Sequence, residues 1–207
     1  MRVIDKASHG IDQAAISRAA LSVVHRLREG GFEAFIVGGA VRDLLINGQP
    51  KDFDVATNAT PEQTKALFRS ARIIGRRFQI VHVRQGREII EVTTYRGHHD
   101  SDEAKPSTSK QSEKGLLLRD NVYGSLEDDA KRRDLTVNAM YYDPDDESVL
   151  DQQSGLEDIE ARLIRIIGDP ATRYREDPVR MLRVVRFSAR LQFDIESETA
   201  EAIAVCG

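Results

Sequence analysis

The sequence predicts an α+β fold: a mixed sheet flanked by helices over residues 1–150, followed by an all-helical segment from 151 to 207. Three observations predict it. Short apolar runs of strand length, several ending at glycine, alternate with stretches of helical periodicity as far as Leu150. Beyond that point apolar residues recur mostly at helical spacing. The chain has 207 residues, 40% of them apolar, enough for the core of one domain plus part of a second.

Taken in order, Ile11 to Glu29 reads as a helix, with Ile16, Ala20, Val23, Val24 and Leu27 at helical spacing and Gly30-Gly31 as its stop. Ala34 to Val37 is a short buried strand ending at Gly38-Gly39, and Val41 to Ile46 is a short helix. Phe53 to Val55 is strand-like. Thr60-Pro61 opens a helix through Phe68, with Thr60 as cap and Pro61 in the first turn. Ile73-Ile74, Ile80 to Val83 and Glu88 to Tyr95 read as strands, the last two joined by a turn at Gln85-Gly86. Residues 100–114 are polar without an apolar anchor and read as a mobile loop. Helical signals return at Leu126 to Arg133 and after Asp134. An extended piece at Val149-Leu150, a turn at Ser154-Gly155, and helices over 158–162 and 177–191 complete the chain.

The net charge of −4 excludes a protein that holds nucleic acid by bulk charge. Its distribution is uneven. Seven arginines lie between Arg69 and Arg96 and six between Arg173 and Arg190, while residues 143–160 carry eight acids and no base. Local basic stretches on an acidic chain suit a phosphate-bearing ligand at a defined site. The single cysteine, Cys206, excludes a disulfide framework and a Cys-rich zinc site. It fits a reducing, cytoplasmic compartment. No run approaches the ~20 apolar residues of a membrane span.

The sharpest constellation is Gly38-Gly39-Ala40-Val41-Arg42-Asp43 followed by Lys51-Asp52-Phe53-Asp54. A strand ending in two glycines lets backbone N–H groups approach a phosphate, and Arg42 offers a fork of donors to it. Asp52 and Asp54, two apart on extended backbone, present both carboxylates to one face while Phe53 turns into the core. Two hard carboxylates suit Mg²⁺, and two such ions serve phosphoryl-transfer chemistry. Either half alone is weak, since a Gly-Gly turn or an Asp-x-Asp is more often plain structure.

A second block runs from Asp128 to Ala139. It reads either as a surface helix with Asp134 capping the next one, or as Arg133 on a triphosphate with Asp134 and Asn138 on ribose or metal. In the third block, Arg175 to Arg183, Asp177 and Pro178 fit the N-cap and first turn. Helical spacing then aligns Arg180, Arg183, Arg186 and Arg190 on one face, with Leu182, Val185 and Ala189 opposite. Asp177 and Arg180 together offer an acceptor and donors able to read a base edge.

These three blocks, in this order, resemble the class II branch of the polymerase-β-like nucleotidyltransferases, the CCA-adding enzymes and bacterial poly(A) polymerases. The resemblance runs from Phe35 to Ala202. Within the branch, the segments from Ile73 to Val83, Thr94 to His99 and Leu117 to Gly124 look like those of the poly(A) polymerases. The resemblance implies a nucleotidyltransferase head over 1–150 and the start of a helical, nucleotide-selecting neck over 151–207. It implies metal binding and catalysis by Asp52 and Asp54, completed by Asp134. Gly38, Gly39, Arg42, Arg133 and Asn138 would bind the nucleotide, which Asp177, Arg180 and Arg183 would select. Glu91, on a strand between apolar neighbours, fits the third carboxylate position too; otherwise it is a buried strand Glu with an Arg partner. His82 reads as strand packing. The implied reaction is AMP transfer from ATP to RNA 3′-hydroxyl ends with two Mg²⁺ ions. The alternatives are tRNA CCA addition, or a catalytically weak nucleotide- or RNA-binding fragment. Relatives continue into further helical domains, so the chain is expected to be a truncated portion of a longer protein.

Overall fold

A computed structural model describes residues 1–75, 79–97, 109–111, 117–120 and 122–207. In chain order its elements are β1 (Arg2–Ile4), α1 (Lys6–His9), a 3-10 turn (Gln13–Ala15), α2 (Arg18–Glu29), β2 (Ala34–Val37), α3 (Gly39–Leu45), β3 (Asp54–Thr57), α4 (Pro61–Leu67), β4 (Ala71–Ile74), β5 (Ile80–Gln85) and β6 (Glu88–Thr94). Then come β7 (Ser109–Gln111), β8 (Leu117–Asp120), α5 (Leu126–Arg132), a second 3-10 turn (Thr136–Asn138), β9 (Met140–Tyr142), β10 (Val149–Asp151), α6 (Gly155–Glu160), β11 (Leu163–Ile164), α7 (Pro170–Glu176), α8 (Val179–Leu191), β12 (Asp194–Ile195) and α9 (Ser197–Cys206).

Eight strands form one mixed sheet in the order β1-β10-β9-β2-β3-β6-β5-β4. Every neighbouring pair is antiparallel except β3 and β6, which run parallel with Asp54 directly opposite Glu91. Helix α2 covers the sheet with Ala20, Val23, Val24 and Leu27, all fully buried. Each buried Val or Leu contributes about 1.5–3 kcal/mol. The expected helix over 11–29 is divided, because Asp12 caps the 3-10 turn and Ser17 caps α2 through the N–H groups of Ala19 and Ala20. Two local signals for a start thus interrupt one apolar periodicity.

Thr60 caps α4 with Pro61 in its first turn, as expected, and Gln63 completes a capping box. Part of the polar 100–114 stretch is strand, since Ser109–Gln111 pairs antiparallel with Leu117–Asp120. The remainder of that stretch lies outside the described residues, as do Arg76, Arg77, Phe78, His98, His99 and Asn121 within the three poly(A) polymerase-like segments.

The 151–207 segment is helical apart from the two-residue parallel pair β11–β12. Asp177 ends α7 and accepts the Val179 N–H at 3.3 Å, so α8 starts at Val179 with Pro178 as its cap, one residue later than the Asp-Pro signal predicts. The face of α8 opposite the arginines is also not where spacing put it. Leu182 and Val185 are exposed, at 72% and 50%, and Val184 and Phe187 are the buried pair. One hydrophobic cluster runs across residue 150, joining α2 and the sheet to Ile159, Ile164, Ile166, Tyr174, Val184, Phe187 and Phe193. No helix among the described residues is long and apolar enough to cross a membrane.

Candidate active site

Two short connections bring the motif residues together. Strand β2 ends at Gly38, whose φ of 79° and ψ of −134° turn the chain into α3. That left-handed backbone favours glycine. Antiparallel pairing of β2 with β3 then sets Val37 opposite Asp54, so the start of β3 lies beside the glycine turn. Phe53 is buried, with Asp52 exposed and Asp54 half-buried on either side of it, the alternation that extended backbone requires.

The resulting cavity, about 370 Å³, is lined by Gly38, Gly39, Arg42, Asp43, Lys51, Asp52, Asp54, Arg133, Asp134 and Asn138, and from α8 by Arg183, Arg186, Phe187 and Arg190. Residues from the first and second motif blocks thus share one concave surface with Arg183 of the third and with Arg186 and Arg190 beyond it on α8. A second cavity of about 200 Å³ shares Asp54 and Arg133 with it and adds Glu91, Thr93, Arg96, Asp129 and Arg132.

The cations are held individually. Arg42 is 2% exposed and donates to the Asn138 side-chain oxygen and, from Nε and Nη2, to Asp43 at 2.9 and 2.6 Å. Its burial holds its pKa below the ordinary arginine value, though Asp43 opposes this. Arg133 donates Nε and Nη2 to Asp129 at 3.1 and 3.0 Å and lies against the Tyr141 ring. Burial acts to lower its pKa, but Tyr141 and Asp129 outweigh it and the net direction is upward. Arg183 Nε donates to Asp134, and Arg190 reaches Asp43 at 3.4 Å.

The carboxylates divide into satisfied and unsatisfied ones. Both oxygens of Asp134 have donors, the Leu135 N–H at 2.8 Å and Arg183 Nε. Burial would raise its pKa, but the Arg183 charge and these hydrogen bonds bring it down. Asp134 does not cap the second 3-10 turn, which has no side-chain cap. Asp54 behaves in the opposite way: burial first, then the charges of Glu91 and Asp52, push it up to about 6 against the pull of Arg133. Glu91 is not buried, and no arginine among the described residues pairs with it. It is exposed, with His82 Nε2 3.2 Å from its Oε1, and His82, Glu91 and Asp54 stand in register across β5, β6 and β3. His82 is therefore a carboxylate partner and not mere strand packing.

Asp177 and Arg180 stand outside the residues lining the larger cavity. Arg180 donates to Glu176 at 2.8 Å and to the Arg173 carbonyl at 3.0 Å, about one helical turn before Arg183. Sequence reasoning left Phe187, Arg186, Arg190, Lys51 and Asp43 without individual roles. The i, i+3, i+4 spacing of Arg183, Arg186 and Phe187 was the available signal.

Comparison with known proteins agrees with this geometry. Residues 34–165 match the poly(A) polymerase head domain. Poly(A) polymerase I of Salmonella typhimurium is 54% identical over 203 residues, 98% of this chain and 44% of that protein. A CCA-adding enzyme of Bacillus pumilus is 38% identical over 184 residues, 89% of this chain and 43% of that protein. The chain thus spans under half the length of these curated relatives. Among solved structures, the Bacillus stearothermophilus CCA-adding enzyme in complex with CTP superposes with a TM-score of 0.75 at 35% identity, over 90% of this chain and 42% of that one. The mixed sheet, the cavity built at the end of β2 and the match over residues 34–165 lead to one conclusion: the chain belongs to the poly(A) polymerase head-domain family.

Proposed function

We propose that this chain carries the catalytic head of an enzyme that transfers AMP from ATP to RNA 3′-hydroxyl ends. The observation that carries the proposal is the shared cavity, in which Asp52 and Asp54 face Arg133, Arg183, Arg186, Arg190 and Lys51. An anion with several charges, bound next to a divalent cation, matches that lining. The 54% identity to poly(A) polymerase I favours RNA ends and ATP over the CCA-adding reaction.

The donor chemistry fits Mg²⁺. Asp52 and Asp54 are oxygen donors, and a cation would offset the burial and the Glu91 and Asp52 charges that raise the Asp54 pKa. When bound, two such ions would activate the attacking hydroxyl and neutralise the leaving pyrophosphate. The residues themselves have distinct tasks. Lys51 and the arginines of α8 would hold the triphosphate, with Arg42 and Asn138 locked together beneath it. Arg133, fixed by Asp129 and Tyr141, borders both cavities and would meet the phosphate undergoing substitution. In-line displacement brings the RNA hydroxyl from the side away from the pyrophosphate, and the smaller cavity bordered by Arg96 and Arg132 is the candidate for it. Direct attack by the RNA hydroxyl is the proposed route, and among the described residues the larger cavity's lining holds no hydroxyl, thiol or imidazole.

For the third carboxylate the geometry favours Glu91. It is the register neighbour of Asp54, whereas both oxygens of Asp134 are already occupied. Asp134 then acts by holding Arg183. Asp177 and Arg180 remain the proposed base readers, with Arg180 steadied by Glu176.

The test supplies purified protein with ATP or CTP and two acceptors, an unstructured oligonucleotide and a tRNA lacking its CCA end. A-tails on the oligonucleotide are expected, and Asp52→Asn or Asp54→Asn should lower incorporation by at least 10²-fold, a loss typical of removing an essential charge-stabilising group. Full activity in either variant would sink the assignment, and CTP use on the tRNA would favour CCA addition.

A further inference from the structure

Phe187 is buried on α8 and lines the larger cavity. The guanidinium carbons of Arg42, Arg186 and Arg183 lie 4.9, 5.0 and 5.5 Å from its ring centre. All three are inside the ~6 Å reach of cation–π attraction. Arg42 and Arg183 also have carboxylates, Asp43 and Asp134. Arg186 is exposed and has no hydrogen bond or ion pair among the described residues, so the ring is the group that fixes it. Like charges gathered this closely repel, and an aliphatic side chain in place of the ring would supply no opposing attraction. The negative face of an aromatic ring does.

We propose that Phe187 is a positioning residue for phosphate binding, its ring holding Arg42, Arg183 and Arg186 converged on the triphosphate of the incoming nucleotide. The inference rests on the reading that a triphosphate occupies this cavity. It goes further in giving one apolar side chain a part in arranging three cations, and in making it the group that fixes Arg186 among the described residues. At Arg186, where no carboxylate among the described residues takes the guanidinium N–H groups, contact with the ring leaves them available to phosphate oxygens.

Stepwise fluorination separates the electrostatic role from a packing role, because it keeps the ring shape while draining its negative face. Phe187 is replaced by monofluoro- and then trifluorophenylalanine in the full chain. Inorganic tripolyphosphate binding is measured by titration calorimetry, alongside KM and kcat for ATP and the melting temperature. Tripolyphosphate affinity is expected to fall progressively, by about five- to ten-fold across the series. KM should rise more than kcat falls, at nearly constant melting temperature. Phe187→Leu should show the same loss of affinity together with lower stability; if it does not fold, the fluorinated series still decides. Constant affinity across that series overturns the inference, and so does wild-type protein that does not bind tripolyphosphate. Fluorine-sensitive tripolyphosphate binding without AMP transfer would uphold the inference while refuting the reaction proposed above.

Discussion

At the residue scale, Asp54 is the described carboxylate whose charge the fold most clearly opposes. Its carboxyl is pushed up to about 6 by burial and by the neighbouring Glu91 and Asp52, against about 3.9 in an unfolded chain. Between those two values the folded protein holds a proton that the unfolded chain has released. Asp54's own contribution to stability is therefore greatest below about pH 4 and is lost as pH rises through 6. In metal-free protein the melting temperature of wild type relative to Asp54→Asn should fall as pH rises across this window. Added Mg²⁺ should raise the melting temperature more at pH 7 than at pH 5, since only the ionised pair binds it well. Scanning calorimetry against pH checks both, and parallel curves for wild type and variant would count against the assignment. Asp134 carries the same side chain with the opposite shift, because Arg183 and a backbone N–H are already there. That difference separates a carboxylate raised by burial and like charge from one already paired with an arginine, and no spacing rule could have revealed it.

At the element scale, the turn from β2 into α3 sets the site. Gly38 sits at φ 79° and ψ −134°, yet an added Cβ would meet only ordinary contacts, 3.7 Å from Arg133 Nη1 and 3.9 Å from the Asn138 carbonyl. The demand for glycine is conformational and not steric. Gly38→Ala should cost about 1–3 kcal/mol of stability, as strained backbone does, while Gly39→Ala should cost less because Gly39 lies in the helix at negative φ. Urea unfolding midpoints measure the difference; equal losses would show that the strain lies elsewhere. Elements with a local start signal were legible in advance: α4 through Thr60-Pro61, the hairpin at Gln85-Gly86, and β2 through its apolar run. Strand β9 was not. Met140-Tyr141-Tyr142 is only three residues, shows no alternation, and is buried on every residue because it lies between β10 and β2. Helix α7 was missed although Asp169-Pro170 is a cap-and-first-turn pair.

At the scale of the whole molecule, α8 is tied to the front of the sheet by charge and by packing. Arg183 holds Asp134 and Arg190 reaches Asp43, while Val184 and Phe187 belong to the cluster that also contains α2. A core continuous across residue 150 predicts one cooperative unfolding transition by calorimetry, with calorimetric and van't Hoff enthalpies equal. Two resolved transitions would instead identify 1–150 and 151–207 as independent units.

Sequence by itself determined which residues could do chemistry. Gly38-Gly39, Asp52-Phe53-Asp54, Arg133-Asp134 and the arginines of α8 announce themselves through residue type and local spacing, and these depend only on neighbours along the chain. The tertiary structure alone decided which of them meet. The parallel pairing of β3 with β6 brings Glu91, 37 positions on from Asp54, to its side. The docking of α8 buries Val184 and Phe187 instead of Leu182 and Val185, and so aims Arg183, Arg186 and Arg190 into the cavity. The physical reason is that strand register and helix rotation are set by the sum of long-range burial, and local periodicity enters that sum as only one contribution.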